Sequence, residues 1–62
     1  MKKRLVDEFR IGDRIEVNLG DGDWPPAVVI GLDHPGLWVL DELGRRWFIT
    51  NRRRIRRRAG GA

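Results

Sequence analysis

The chain has 62 residues, no cysteine and a single histidine, and 13 basic against nine acidic side chains give it a formal net charge of +4. That length allows one small domain near the lower limit for a self-sufficient core, and the inventory excludes a disulfide framework, a thiolate zinc site and a histidine-rich metal cluster. No apolar stretch approaches the roughly 18 residues that span a bilayer, so the chain reads as a soluble, cytoplasmic protein without membrane contact.

Residues 1–10 open with Lys2, Lys3 and Arg4 and read as a basic N-terminal arm. IGDRIEVNL, 11–19, begins with a Gly-Asp turn and then alternates Ile15, Val17 and Leu19 against Arg14, Glu16 and Asn18, the period of a half-buried strand. GDGDWPP, 20–26, is a loop, because Pro25-Pro26 opposes both helix and central strand. AVVIGL, 27–32, and LWVLDE, 37–42, are apolar, strand-forming runs joined by the tight-turn sequence DHPG, and they predict a hairpin. Leu43-Gly44-Arg45 makes a second turn into RWFIT, 46–50, a further antiparallel strand. TNRR, 50–53, suits a single tight helical turn before Arg54-Ile55-Arg56. A loose cationic tail gains nothing from a lone isoleucine, whereas a last strand needs one inward side chain, so Ile55 places part of the arginine run in the fold. No window sustains a 3.6-residue period over three turns. The prediction is all-β: a small, five-stranded, strongly bent and partly open barrel with a short 3-10 turn before the last strand.

The order GDRIEV, DGDWPPAVV, GLWVLDELG, RRWFI and RIRR resembles the Tudor and KOW-like branch of the SH3-like barrels over about residues 11–57. The resemblance implies a barrel over 11–57, closed by Arg54-Ile55-Arg56, with a flexible C-terminal tail at 58–62. Its motifs mark a fold shared by many functions. A weaker similarity, in GDRI and in Trp24 followed by AVVIG, points to the plasmid-type dihydrofolate reductase barrels. The stretch that should line their pore reads Trp47-Phe48-Ile49-Thr50, without the glutamine or tyrosine that contact the ligands, so the activity does not carry over.

The charges are segregated. Residues 5–51 hold all nine acids against Arg10, Arg14, Arg45 and Arg46, while three basic groups precede them and six arginines follow. An acidic body opposes phosphate contact by the domain surface as a whole, so polyanion binding falls to the ends. The candidates are Lys2, Lys3 and Arg4, then Arg52, Arg53, Arg54, Arg56, Arg57 and Arg58, whose forked guanidinium donors suit phosphate. Arg45 and Arg46 join them because there, beside Trp47 and Phe48, basic and aromatic groups interleave as base-stacking sites require. The alternatives for the arginine run are a solvated, repelling segment, an acidic protein surface, or the acidic body of another copy.

If Ala27, Val29, Leu37, Val39, Trp47 and Ile49 face inward, Val28, Ile30, Trp38, Leu40 and Phe48 form an outward apolar stripe, although alternation alone leaves the choice of face open. Monomers seldom expose such a patch. Either a partner or second copy covers it, with Trp24 at its margin, or Leu5, Val6 and Phe9 fold over it. Trp24 and Phe48 could also belong to a methyl-ammonium cage of the Tudor kind, but in so small a barrel Trp47 fills core and Trp24 covers an open end.

Catalysis has little to work with. Thr50 is the only aliphatic hydroxyl, so no nucleophilic triad can be assembled. The GDGD loop lacks the spacing of an EF-hand, and acids in turns commonly bond local backbone. The closing Arg-Ala-Gly-Gly-Ala is similar to ubiquitin-like tails, but the glycine and proline between 20 and 36 leave no room for the central helix of about 12 residues that such a fold needs. The leading expectation is a non-enzymatic module, with no cofactor and no metal, that contacts nucleic-acid phosphates within a larger assembly. The alternative is an adaptor subunit of a phage particle or other multi-subunit complex, docking through the outer apolar face.

Overall fold

The computed structural model describes residues 4–58. A one-turn helix α1 (Leu5–Glu8) precedes strands β1 (Arg14–Val17), β2 (Pro26–Asp33), β3 (Gly36–Asp41) and β4 (Arg46–Ile49). A 3-10 helix (Arg52–Arg54) then leads into β5 (Ile55–Arg57). The five strands form one antiparallel sheet in the order β4-β3-β2-β1-β5, and the sheet is not closed. The chain is therefore all-β, with the short 3-10 turn before the last strand that the TNRR stretch predicts.

Local chemistry explains most boundaries. Pro26 is the first residue of β2, where a missing N–H costs no ladder bond, and Val17 N–H donates to the carbonyl of Pro25 at 3.1 Å. The strand thus starts inside the stretch that reads as loop. Gly44 turns the β3–β4 connection with a φ of 81°, a left-handed conformation that glycine adopts without strain. At Gly36 a Cβ would lie 2.5 Å from the Ile49 carbonyl oxygen, so β3 and β4 approach as closely as they do only because that side chain is absent. The Asn51 side chain caps the 3-10 helix by accepting from Arg53 N–H at 2.9 Å.

One face of the sheet is sealed. Ile15, Val17, Ala27, Val29, Leu37, Val39, Ile49 and Ile55 are buried in a single cluster. Ile55 is opposite Val17 and points inward, which settles how the arginine run is divided. Trp47, expected inside, is half-buried and packs against the cluster. Leu5 in α1 and Phe9, the residue that ends it and whose N–H bonds back to the Leu5 carbonyl at 3.2 Å, complete the core, and Phe9 is only 1% exposed. Residues 5–9 are thus part of the folded body and not of a free arm. They fill the inner face and do not cover the outer stripe.

The outer face stays open. Trp38 and Phe48 are each 39% exposed and Ile30 is 37% exposed, while Val28 and Leu40 are half-buried. The ladder between β2 and β3 shifts between Val29 and Gly31, a bulge that leaves Ile30 without a partner and sets Gly31 opposite Trp38. Gly31 has no side chain to contest the space, and a Cβ there would touch Trp38 Cβ at 3.4 Å.

Candidate functional site

The arginines fall into two groups by what their guanidinium groups touch. In the first group the partner is the chain's own acids. Arg52 Nε pairs with Glu8, and its Nη1 donates to the Ile55 carbonyl at 2.6 Å. Arg56 Nε donates to Glu16 Oε1 at 2.6 Å, directly across the β1–β5 ladder. Arg57 Nη2 donates to the Glu8 carbonyl at 2.6 Å, and its Nη1 lies 3.6 Å from Asp13 Oδ2. Aromatic rings complete these clamps: Arg52 and Arg57 sit 5.3 and 4.8 Å from the Phe9 ring centre, and Arg56 sits 4.3 Å from that of Trp24. Trp24 is accordingly half-buried beneath a cation that belongs to the same chain.

Arg45 belongs to the first group as well. Its Nε donates to Asp41 Oδ2 at 3.0 Å, and its guanidinium lies 5.4 Å from the Trp47 ring centre. Asp41 is the hub of the β3–β4 turn: Oδ1 accepts from the N–H groups of Leu43 and Arg45, both at 2.9 Å, and Oδ2 also accepts from Trp47 Nε1 at 2.9 Å. These bonds, that from Trp47 foremost, hold the Asp41 carboxyl down at about 2 against the opposing pull of burial. The aspartate is a turn lock, not an acid–base group. Arg4 bonds Asp7 at 3.0 Å and holds that carboxyl below its ordinary range. Lys2 and Lys3 lie outside the described residues.

The second group has no acid within ion-pair distance among the described residues. It comprises Arg10, Arg14, Arg46, Arg53, Arg54 and Arg58; of these, Arg54 donates to the Asn18 carbonyl at 3.5 Å. Three of the six share the outer face. Arg46 is opposite Leu40, Leu40 opposite Val28, and Val28 opposite Arg14, and the N–H of Arg58 reaches the Arg14 carbonyl at 3.4 Å. A row therefore crosses the sheet with a cation at one end, two aliphatic side chains in the middle and two cations at the other end. Three inter-strand steps put Arg14 about 14 Å from Arg46, and Arg58 lies one step beyond.

The neighbouring row is aromatic. Phe48 is opposite Trp38 and Trp38 is opposite Gly31. The Trp38 and Phe48 ring centres are 4.9 Å apart with the planes tilted by 42°. An open depression of about 600 Å³ beside them is lined by Ile30, Gly31, Trp38 and Arg46. A second, of about 330 Å³, lies further along between Arg14, Val28, Leu40 and Arg58, with Glu42 on its rim.

Of the residues expected to bind polyanion, the fold commits Arg4, Arg45, Arg52, Arg56 and Arg57 to internal bonds and leaves Arg46, Arg53, Arg54 and Arg58 without acids. Arg14 is absent from the expected set. Its outward position is legible from the alternation of β1, but its place in line with Arg46 depends on the register of three strand pairs. No group of three histidine, cysteine, aspartate or glutamate side chains is arranged to hold a metal ion among the described residues, and no helix among them is long and apolar enough to cross a membrane. Comparison of the chain with protein-family models, with curated proteins and with solved structures finds no match.

Proposed function

We propose that this chain is a non-enzymatic binding module, an SH3-like barrel of the Tudor and KOW-like kind, that contacts nucleic-acid phosphates with low base specificity within a larger cytoplasmic assembly. The kinship draws support from the order of strands and from the 3-10 turn before the last one. The observation that supports the function is the set of arginines left without acids: Arg14, Arg46, Arg53, Arg54 and Arg58. A guanidinium whose charge is not offset internally is free to replace a phosphate's counterions, and that release makes binding salt-dependent.

Fluorescence-anisotropy titration with single- and double-stranded DNA and RNA tests this. Four or five contacts give a slope of log affinity on log salt near −3 to −4 and about a 100-fold loss between 50 and 200 mM salt. Affinity weaker than about 100 μM at the lower salt, the weak limit of ordinary non-specific binding, removes the reading. The second reading, a protein-docking adaptor, draws on the exposure of Ile30, Trp38 and Phe48. A chain that sediments as a strict monomer at high concentration counts against self-association through that face.

A further inference from the structure

Resting on the nucleic-acid reading, we infer that the outer sheet face is a stacking platform for single-stranded nucleic acid. Unstacked bases lie on Trp38 and Phe48, and the backbone phosphates run along Arg46 toward Arg14 and Arg58. Three observations on this face point to such a ligand and away from others.

First, the two aromatic rings are adjacent, 4.9 Å apart, and each is 39% exposed. Gly31, opposite Trp38, sets no side chain beside the ring, where a Cβ would lie in van der Waals contact with it. The depression beside them falls within the size range of small-ligand clefts, about 300–1,000 Å³. Bases in a duplex are already stacked on each other and cannot reach such rings, whereas those of a single strand can, and stacking tolerates any sequence.

Second, Arg46 is two residues before Phe48 on β4, so both project from the same face about 7 Å apart. A ligand lying on the rings therefore passes beside a cation that pairs with no acid among the described residues. The same ligand, continuing across Leu40 and Val28, meets Arg14 and Arg58. Aromatic groups flanked by cations on one open face match a strand whose bases and phosphates alternate.

Third, charge disfavours the other occupants. The core of a protein interface is depleted of charge, yet this apolar strip is bracketed by three guanidinium groups. The acids lining the depression beside Arg14 and Arg58 are Glu42 and Asp41, the latter already bonded by Arg45 and Trp47, and Glu16 nearby is bonded by Arg56. A second copy docked face to face about a two-fold axis would bring its own Arg14, Arg46 and Arg58 against these, a like-charge contact.

The test titrates the full chain with a fluorescent 12-nucleotide oligo-dT, with oligo-rU and with a duplex of equal length at 50 mM salt. The wild type should bind the single strands more tightly than the duplex. W38A and F48A should each weaken single-strand binding about 5- to 100-fold without altering the salt slope, while W38F, which keeps an aromatic ring, should stay within about threefold of wild type. Thermal unfolding reports whether each variant is folded. As a check free of any folding defect, the Trp38 indole N–H resonance of the wild type, assigned by its disappearance in W38F, should shift on addition of oligo-dT.

Unchanged single-strand affinity in folded W38A and F48A, or an unmoved Trp38 resonance at saturation, overturns the platform and leaves the phosphate-binding reading intact. Failure of the wild type to bind any of the three nucleic acids removes both. A dimer that W38A dissociates, in a protein that ignores oligonucleotide, assigns the face to a second copy and also overturns the platform.

Discussion

The two faces of the sheet use the same residue type in opposite ways. On the inner side, Leu5, Phe9 and Ile55 seal the core, and Arg52 and Arg57 bind Glu8 and Asp13 around its margin, while the Arg56–Glu16 pair lies at the outer edge of the β1–β5 ladder. On the outer side, Arg14, Arg46 and Arg58 flank exposed Trp38 and Phe48 without meeting an acid among the described residues. The lesson concerns charge that can act on a ligand. A guanidinium held by a carboxylate adds little to the field outside, and an exposed pair of this kind adds only about 0–1 kcal/mol to stability. What such pairs do here is offset Glu8, Asp13 and Glu16 locally, so that Arg14, Arg46 and Arg58 keep their charge for a ligand.

The comparison is most easily broken at Phe9. Its ring lies in the core and also beneath Arg52 and Arg57, so Phe9→Ala removes a buried aromatic and the floor of two clamps together. Loss of about 3–5 kcal/mol is expected, as much as a core of this size commonly supplies, so the variant should be largely unfolded at 25 °C by circular dichroism. A urea midpoint like that of the wild type would mean that the N-terminal segment does not close the inner face.

A pair of triple variants sharpens the contrast, because each removes three positive charges from the formal +4. If net charge alone governs phosphate binding, R14Q/R46Q/R58Q and R52Q/R56Q/R57Q should be equally weakened. The structure predicts that they separate. The outer-face triple should lose about 2 units of salt slope with single strands, at about 0.7 per contact, and keep its melting temperature. The clamp triple should keep most of its slope and melt lower. Equal slopes in the two variants would erase the distinction between arginines that are paired and those that are not.

The apolar residues of both sheet faces are legible in the sequence, and the helical turn and the partners of the arginines are not, for a physical reason. Ile15 and Val17 alternate cleanly in β1, and Ile55 stands alone among arginines; both are local signals, and all three residues are buried. A single helical turn shows only one spacing, Leu5 to Phe9, which is too little for a period to emerge. The arginine partners lie further still from local view: Arg52 meets Glu8, Arg56 meets Glu16 and Arg57 meets the Glu8 carbonyl across 44, 40 and 49 residues of chain. Composition counts those arginines as available because it cannot see the register that occupies them. The bulge at Ile30 leaves one trace, Gly31, and a lone glycine in a strand signals a close approach without naming what approaches.

The smallest effect at neutral pH, and the last test, concerns Asp41, the turn lock that joins the inner edge of β3 to the start of β4. Its carboxyl ordinarily titrates at 3.8 and is held at about 2 in the folded chain by Trp47 Nε1, then by the backbone and side chain of Arg45 and the N–H of Leu43. The folded state therefore binds this proton less readily than the unfolded chain does, and protonation favours unfolding. The stabilisation is complete above 3.8 and is lost as the pH falls through about 2, so nothing from this group should change between pH 7 and 5. An asparagine in place of Asp41 cannot reproduce the lock, because its amide nitrogen is a donor facing the donors of Arg45 and Trp47. D41N should melt lower at every pH, yet its melting temperature should fall less steeply than that of the wild type between about pH 4 and 2. The two proteins differ at this position alone, so the difference between the two curves isolates this carboxyl. Parallel curves would mean that the turn between β3 and β4 is held by its backbone alone, and that Arg45 is as free for a ligand as Arg46.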